Sequence, residues 1–231
     1  MIRILRTVAA LAGAALQRRR AGWLLAICGL GMVPRLALAV VLGDQAVPST
    51  AAYDQVFYHD IAVNILSGRG FSFTTPPWPF IPPGAPTAFV SFLYGGIVAA
   101  VYAVFGVHPL AVRVLQAIVC GLLPALVYAL VRTLLLQSPA WDRDQEYKVA
   151  LLGAAVTAGY AYFINYSAVL MTDGPYLLAV AWSLILTIRL TQEPTAGRWA
   201  QWGLAVGIAS LLRQVFMPAA VLLFFYAVLA T

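Results

Sequence analysis

Charge is scarce in this sequence. Asp, Glu, Lys and Arg together make up 10% of the 231 residues, against about a quarter in a soluble domain. That scarcity excludes an ordinary soluble fold. Cysteine is scarcer still: Cys28 and Cys120 both lie inside apolar runs and have no CxxC partner. The spacing excludes a disulfide framework and a cysteine metal site. No basic stripe with interleaved aromatics occurs outside the apolar runs. The net charge of +6 and pI near 9.6 therefore does not point to nucleic acid; Lys and Arg collect on cytoplasmic loops of membrane proteins. No internal repeat is visible, which ranks a transporter or lipid carrier last, since transporters often carry inverted repeats.

Apolar residues are abundant, at 62% of the chain, with mean hydropathy +0.88. Runs of about 20 apolar residues recur, the length a bilayer-crossing helix needs. The sequence is that of an all-α polytopic membrane protein. Hydropathy places candidate spans at 21–43, 87–106, 109–136, 149–168, 175–190, 199–213 and 215–231. Arg3, Arg6 and Arg18 to Arg20 precede the first run, and Ala37-Leu38-Ala39 resembles a cleavage site. The run continues to Gly43, so an uncleaved first helix is preferred to a signal peptide. Residues 76–86, PPWPFIPPGAP, cannot stay helical, because each proline removes a backbone donor and clashes with the preceding turn.

The arginines decide a point that hydropathy leaves open. If 87–106 spans, the loop 137–148 with Arg132, Arg143 and Lys148 falls outside. If 87–106 instead lies at the interface, three sets fall inside together: Arg3 to Arg20, the 137–148 loop, and the Arg189/Arg198 loop. Only the second arrangement meets the positive-inside rule at every loop. It places Trp199 and Trp202 at the inner interface, and Asp54, Asp173 and Arg213 at one outer surface. The organisation that follows is a cytoplasmic basic N-terminus (1–20), a first span (21–43), an extracytoplasmic loop with juxtamembrane helices (44–108), and the remaining spans (109–231).

The stretch AAYDQVFYHDIAVNILSGRGFSF (51–73) is the polar exception. A helix over 54–67, ended by Gly68 and Gly70, sets Asp54, Tyr58 and Ile61 or Ala62 on one face. Asp60 points elsewhere, so the two carboxylates form no dyad. Asp54 also reads as a helix N-cap; His59, Asp60 and Asn64 read equally as the wet side. Asp173 stands before Gly174-Pro175, where it reads as a cap with proline in the first turn. Arg213, between apolar runs, snorkels, pairs or faces a cavity, and its planar guanidinium suits a phosphate. Arg35 and Arg113 read as partners of carboxylates. Tyr58, Phe71, Phe73, Trp78 and Phe80 read as an interface belt before a sugar-stacking set. Gly203 and Gly207 form a small-xxx-small pattern of close helix packing.

The segments YDQVFYHDIAVNILSGRGFSF, FIPPGAPTAF, FGVHPLAVRVLQAIVCGLLPALVYALVRTLL, SAVLMTDGPYLLA and GLAVGIASLLRQ occur in this order. Together the chain resembles the N-terminal half of GT-C membrane glycosyltransferases, of the protein mannosyltransferase and aminoarabinose transferase type. The likeness covers about residues 15 to 225. It implies the N-terminal transmembrane module of the GT-C fold, with its large first extracytoplasmic loop, in a cytoplasmic membrane with the N-terminus inside.

The activity implied is inverting transfer of a sugar from a polyprenyl-phosphate donor to a protein, lipid or glycan acceptor at the extracytoplasmic face. The family's catalytic base carries over to Asp54, followed by Tyr58, Ala62 and Gly68. A second outer carboxylate carries over to Asp173, orienting the acceptor or holding a divalent metal (Mg or Mn), since some relatives use a metal and others do not. The lipid-phosphate contact carries over to Arg213. Tyr58, His59, Asp60 and Arg113 are secondary candidates.

The sequence departs from some relatives in FIPPGAPTAF, which lacks their acidic-basic pair. It also reads as truncated at Thr231, inside an apolar run, where relatives continue into an acceptor-binding half. The alternative is therefore a non-catalytic accessory subunit on the same half-fold, partnered by other membrane subunits.

Overall fold

The computed structural model describes residues 2–48, 53–75 and 79–230, with side chains described from Arg19 onward. Among these, ten α-helices follow in order: α1 (Ile2–Leu42), α2 (Asp54–Leu66), α3 (Phe92–Phe105), α4 (Pro109–Cys120), α5 (Leu123–Leu135), α6 (Arg143–Gly159), α7 (Ala161–Ala168), α8 (Asp173–Gln192), α9 (Ala196–Leu212) and α10 (Met217–Ala230). The basic N-terminus is thus helical and continuous with the first span.

Among the described residues three apolar stretches are long enough to cross a membrane, Arg19–Leu42, Pro109–Leu135 and Asp173–Gln192, with a fourth if the bent pair α6 and α7 makes one span. The fold is the all-α polytopic one that composition indicates. The 14 residues of α3 rise about 21 Å, short of a hydrocarbon core about 30 Å thick.

The expected span 149–168 is broken. α6 and α7 meet at an angle of 55°, hinged on Tyr160, whose backbone is extended. The break strips the end of α6 of its in-helix donors. Arg35 of α1 takes their place. Its Nη1 donates to the Ala158 carbonyl at 2.9 Å and to the Gly31 carbonyl at 2.6 Å, and its Nη2 to the Thr157 carbonyl at 3.2 Å. A cation suits the negative end of a helix. Arg35 meets no carboxylate among the described residues, so its expected role as a neutraliser is corrected to closing a helix break. Gly31 allows the approach: a Cβ there would lie 2.9 Å from that of Ala158.

α8 and α9 pack through Leu186, Leu190, Trp202 and Ala205. Trp202 is buried and donates Nε1–H to Thr187 Oγ1 at 2.8 Å, so it is a core peg and not an interface anchor. The small-residue contact of α9 is made by Ala205 and Ala209, both fully buried. Nothing described lies within 4 Å of a Cβ at Gly203 or Gly207, which corrects the packing expected there.

The loop helix α2 lies on α3. Tyr58 and Ala62 meet Tyr94, Val98 and Tyr102, and the cluster continues into Val112, Leu170, Ala179, Ala209 and Leu212. Each such side chain contributes about 1.5–3 kcal/mol where its surface would otherwise face water. Tyr58 and Phe73 are thus core residues. Phe71 stacks on Phe92 at 4.8 Å, Phe80 is exposed, and Trp78 lies outside the described residues. The expected aromatic belt is not one surface.

Candidate active site

Asp54 opens α2 as its first helical residue, and the N-cap is Tyr53, which makes no side-chain capping bond. The capping role expected for Asp54 is therefore not the one it takes. A carboxylate in the first turn is favoured by the helix dipole, which leaves both oxygens unengaged: Asp54 makes no side-chain hydrogen bond or ion pair among the described residues. Burial raises its pKa above the ordinary carboxylate value, against the lowering charge of Arg213, while the charge of Asp173 raises it further. Asp54 is thus a half-buried base in the field of both partners.

Gln55, the next residue, fixes where α2 begins. It is buried, donates to the Val47 carbonyl and accepts from Arg113 Nη2 at 3.0 Å. Arg113 also donates to the carbonyls of Gln45 at 2.8 Å and Ala168 at 3.3 Å. It is 1% exposed and forms no ion pair among the described residues. Its expected role, secondary site residue or neutraliser, is corrected to that of a brace.

The other polar residues of α2 serve the loop. Asp60 Oδ2 accepts from the backbone N–H of Thr74 at 2.7 Å. His59 Nδ1 lies 2.8 Å from the Tyr102 hydroxyl, and burial lowers its pKa. Neither reaches the cleft. Asn64 is 1% exposed, which corrects its reading as part of the wet side. It donates to the Ser72 carbonyl at 2.7 Å and accepts from Arg69 Nη2 at 2.6 Å. It thereby locks the turn in which Gly68 and Gly70 hold φ of +76° and +68°, a region that favours glycine.

Asp173 and Arg213, 40 residues apart, meet. Arg213 Nη2 donates to Asp173 Oδ2 at 2.7 Å and Nε donates to Thr172 Oγ1 at 3.0 Å. The far Asp173 oxygen accepts from the Tyr162 hydroxyl at 3.5 Å, and Arg213 sits 5.8 Å from the centre of the Tyr176 ring. Nη1 of Arg213 has no hydrogen-bond partner among the described residues. Asp173 is thus the partner of Arg213, not the cap expected of it.

Two devices hold the non-helical segment before Asp173. Gln116 Nε2 donates to the carbonyls of Tyr166 at 3.1 Å and Val169 at 2.7 Å, and its Oε1 accepts from the Tyr94 hydroxyl at 2.5 Å. At Gly174, a Cβ would lie 2.7 Å from both Cys120 Sγ and the Tyr166 carbonyl oxygen, so α8 starts in a gap only glycine fits.

These parts border one open cleft of about 490 Å³, lined among others by Asp54, Tyr58, Ser91, Thr172, Arg213 and Gln214. That volume is within the range of small-molecule sites. Tyr58 faces the Ser91 backbone and the Thr172 side chain, and burial pushes its phenol up to about 12, keeping it neutral. The cleft pairs a base with a cation that has donors to spare. Among the described residues no three His, Cys, Asp or Glu side chains gather as a metal site, and Asp173 is already engaged by Arg213. Thr172, Ser91, Gln55 and Gln116 escaped the sequence reading; only Thr172, beside Asp173, carried a positional signal.

The sequence model described as dolichyl-phosphate-mannose-protein mannosyltransferase matches residues 90–231. No curated protein and no solved structure matches the chain. The matched region contains Asp173 and Arg213 and begins after α2, so Asp54 lies before it. It takes in α3 to α10 and most of the cleft wall, and on that match the chain belongs to the dolichyl-phosphate-mannose-protein mannosyltransferase family of GT-C membrane glycosyltransferases.

Proposed function

We propose that the chain transfers a sugar from a polyprenyl-phosphate donor to a hydroxyl-bearing acceptor at the extracytoplasmic face, with inversion. The observation that carries this reading is the unengaged Asp54 carboxylate on the same cleft as Arg213, whose partner is Asp173. The acceptor oxygen attacks the anomeric carbon and loses its proton to Asp54, a general base. The bond from that carbon to the phosphate oxygen breaks, and polyprenyl phosphate leaves. Arg213 meets the charge that develops on the leaving phosphate through its spare Nη1 protons. Asp173 and Thr172 orient Arg213 and so act through it.

The test is release of polyprenyl phosphate from synthetic polyprenyl-phosphate sugars by membranes containing the chain, across protein, lipid and glycan acceptors. Asp54→Asn should slow release by about 10²–10⁴-fold with folding intact. An Asp54→Asn protein as active as the wild type sinks the assignment.

A further inference from the structure

At the opposite end of the bundle from Asp54, three arginines from three segments converge on a second cleft. Arg20 of α1, Arg132 of α5 and Arg143 of α6 line it, with Ala21, Leu24 and Tyr128, around about 330 Å³. No acid is among these lining residues. Arg20 alone is neutralised, by Asp144 at 3.1 Å, and Asp144 is shared with Lys148 at 2.6 Å. Arg132 and Arg143 form no ion pair among the described residues. Arg132 Nε is buried and has no hydrogen-bond partner. The positive-inside rule asks only that such residues be numerous on one side. It does not ask that they line one cleft, where like charges repel. Convergence of that kind calls for an anion.

The surroundings select the kind of anion. Leu24 makes one wall apolar, and the exposed Trp23 borders the adjoining cleft with Arg19, Arg20 and Tyr147. An indole at that level marks a membrane–water boundary. Arg20 lies 4.7 Å from the centre of the Tyr147 ring and Arg132 5.8 Å from that of Tyr128, so both guanidiniums are aimed by aromatic faces. We propose that this cleft is a binding site for the phosphodiester headgroup of an anionic phospholipid of the inner leaflet, separate from the outer cleft. Arg132 and Arg143 hold the phosphate, Arg20 joins by exchanging Asp144, and the lipid chains run down beside Leu24. Basic pockets between transmembrane helices have this affinity in general.

The full-length chain, purified in a zwitterionic detergent, is titrated with phosphatidylglycerol or phosphatidylcholine, and retained lipid is counted by native mass spectrometry. Phosphatidylglycerol should be retained in preference. Arg143→Gln should weaken its retention about fivefold and Arg132→Gln with Arg143→Gln about thirtyfold. Arg189→Gln, which removes one exposed charge from the far end of α8, should leave it within about twofold. Equal retention of the two lipids, or loss by Arg189→Gln equal to that of Arg143→Gln, overturns the proposal. Competition by inorganic phosphate as strong as that by the lipid overturns the lipid assignment. Arg143 is exposed, so the single variant keeps the test readable if the double variant does not fold.

Discussion

Removing either half of the Arg213–Asp173 pair should have unequal consequences. The asymmetry is geometric: the Asp173 side chain is 9% exposed and that of Arg213 36%. In Arg213→Gln the carboxylate stays buried, with a long 3.5 Å bond from Tyr162 as its remaining side-chain contact. An uncompensated buried charge costs about 3 kcal/mol, the low end for a broken buried pair. In Asp173→Asn the shape is kept, the amide oxygen still accepts from Arg213, and the guanidinium reaches water; that costs about 1 kcal/mol. For a chain of this length each kcal/mol moves Tm by about 2–4 °C. Thermal unfolding in detergent should therefore fall by about 6–12 °C for Arg213→Gln and about 2–4 °C for Asp173→Asn. The double variant should be more stable than Arg213→Gln alone, because the stranded charge is gone. Equal losses, or a double variant as unstable as the sum of the singles, refute the picture of a buried carboxylate held by a half-exposed cation.

Three further outcomes follow from the same geometry. Asp54 must be ionised to act as a base and burial raises its pKa, so activity should rise with pH along a limb above the usual 3.8; a rate flat from pH 4 upward contradicts this. The same shift carries a sign for stability: with the folded pKa above the unfolded one, the contribution is present below the unfolded pKa and lost as pH rises through the folded pKa. Asp54→Asn should flatten that pH dependence of Tm. Arg35→Met should cost about 3 kcal/mol by stranding the Thr157 and Ala158 carbonyls, read as Tm, and a wild-type Tm would show that α6 and α7 close without it. Gly174→Ala should cost about 1–3 kcal/mol by overpacking. Adding Cys120→Ala should restore only part of that, since the Tyr166 carbonyl stays in the way; full restoration would place the strain at sulfur alone.

Periodicity was enough to read an all-α fold with apolar helices, because that is a property of single segments; the break inside the expected span 149–168 depends on Arg35 from another helix and was not. That Asp54, Asp173 and Arg213 lie near one another was expected from the arginine-bearing loops. The bond between Asp173 and Arg213 was not, since pairing across 40 residues leaves no periodic trace. Arg35 and Arg113 were misread for a related reason. An intramembrane arginine predicts a partner, and carboxylates are the visible partners in a sequence. Here most partners are backbone carbonyls, freed by a helix break at α6, at the end of α7 and in the loop after α1, and these have no letter of their own; the exception is the Gln55 side chain. Asn64 was misread because its burial depends on how the loop folds back over it.

Arg113 joins Gln45, Gln55 and Ala168, positions 68, 58 and 55 residues away from it. During synthesis the outer loop leaves the ribosome before its brace, and the brace before α7. The loop helix that carries Asp54, already packed on α3, therefore lacks this brace until the fourth helix has been inserted, and the brace is complete only once the seventh has. A cleft built this way is finished in stages, with the last contact of its first wall supplied by a segment more than fifty residues downstream of the brace.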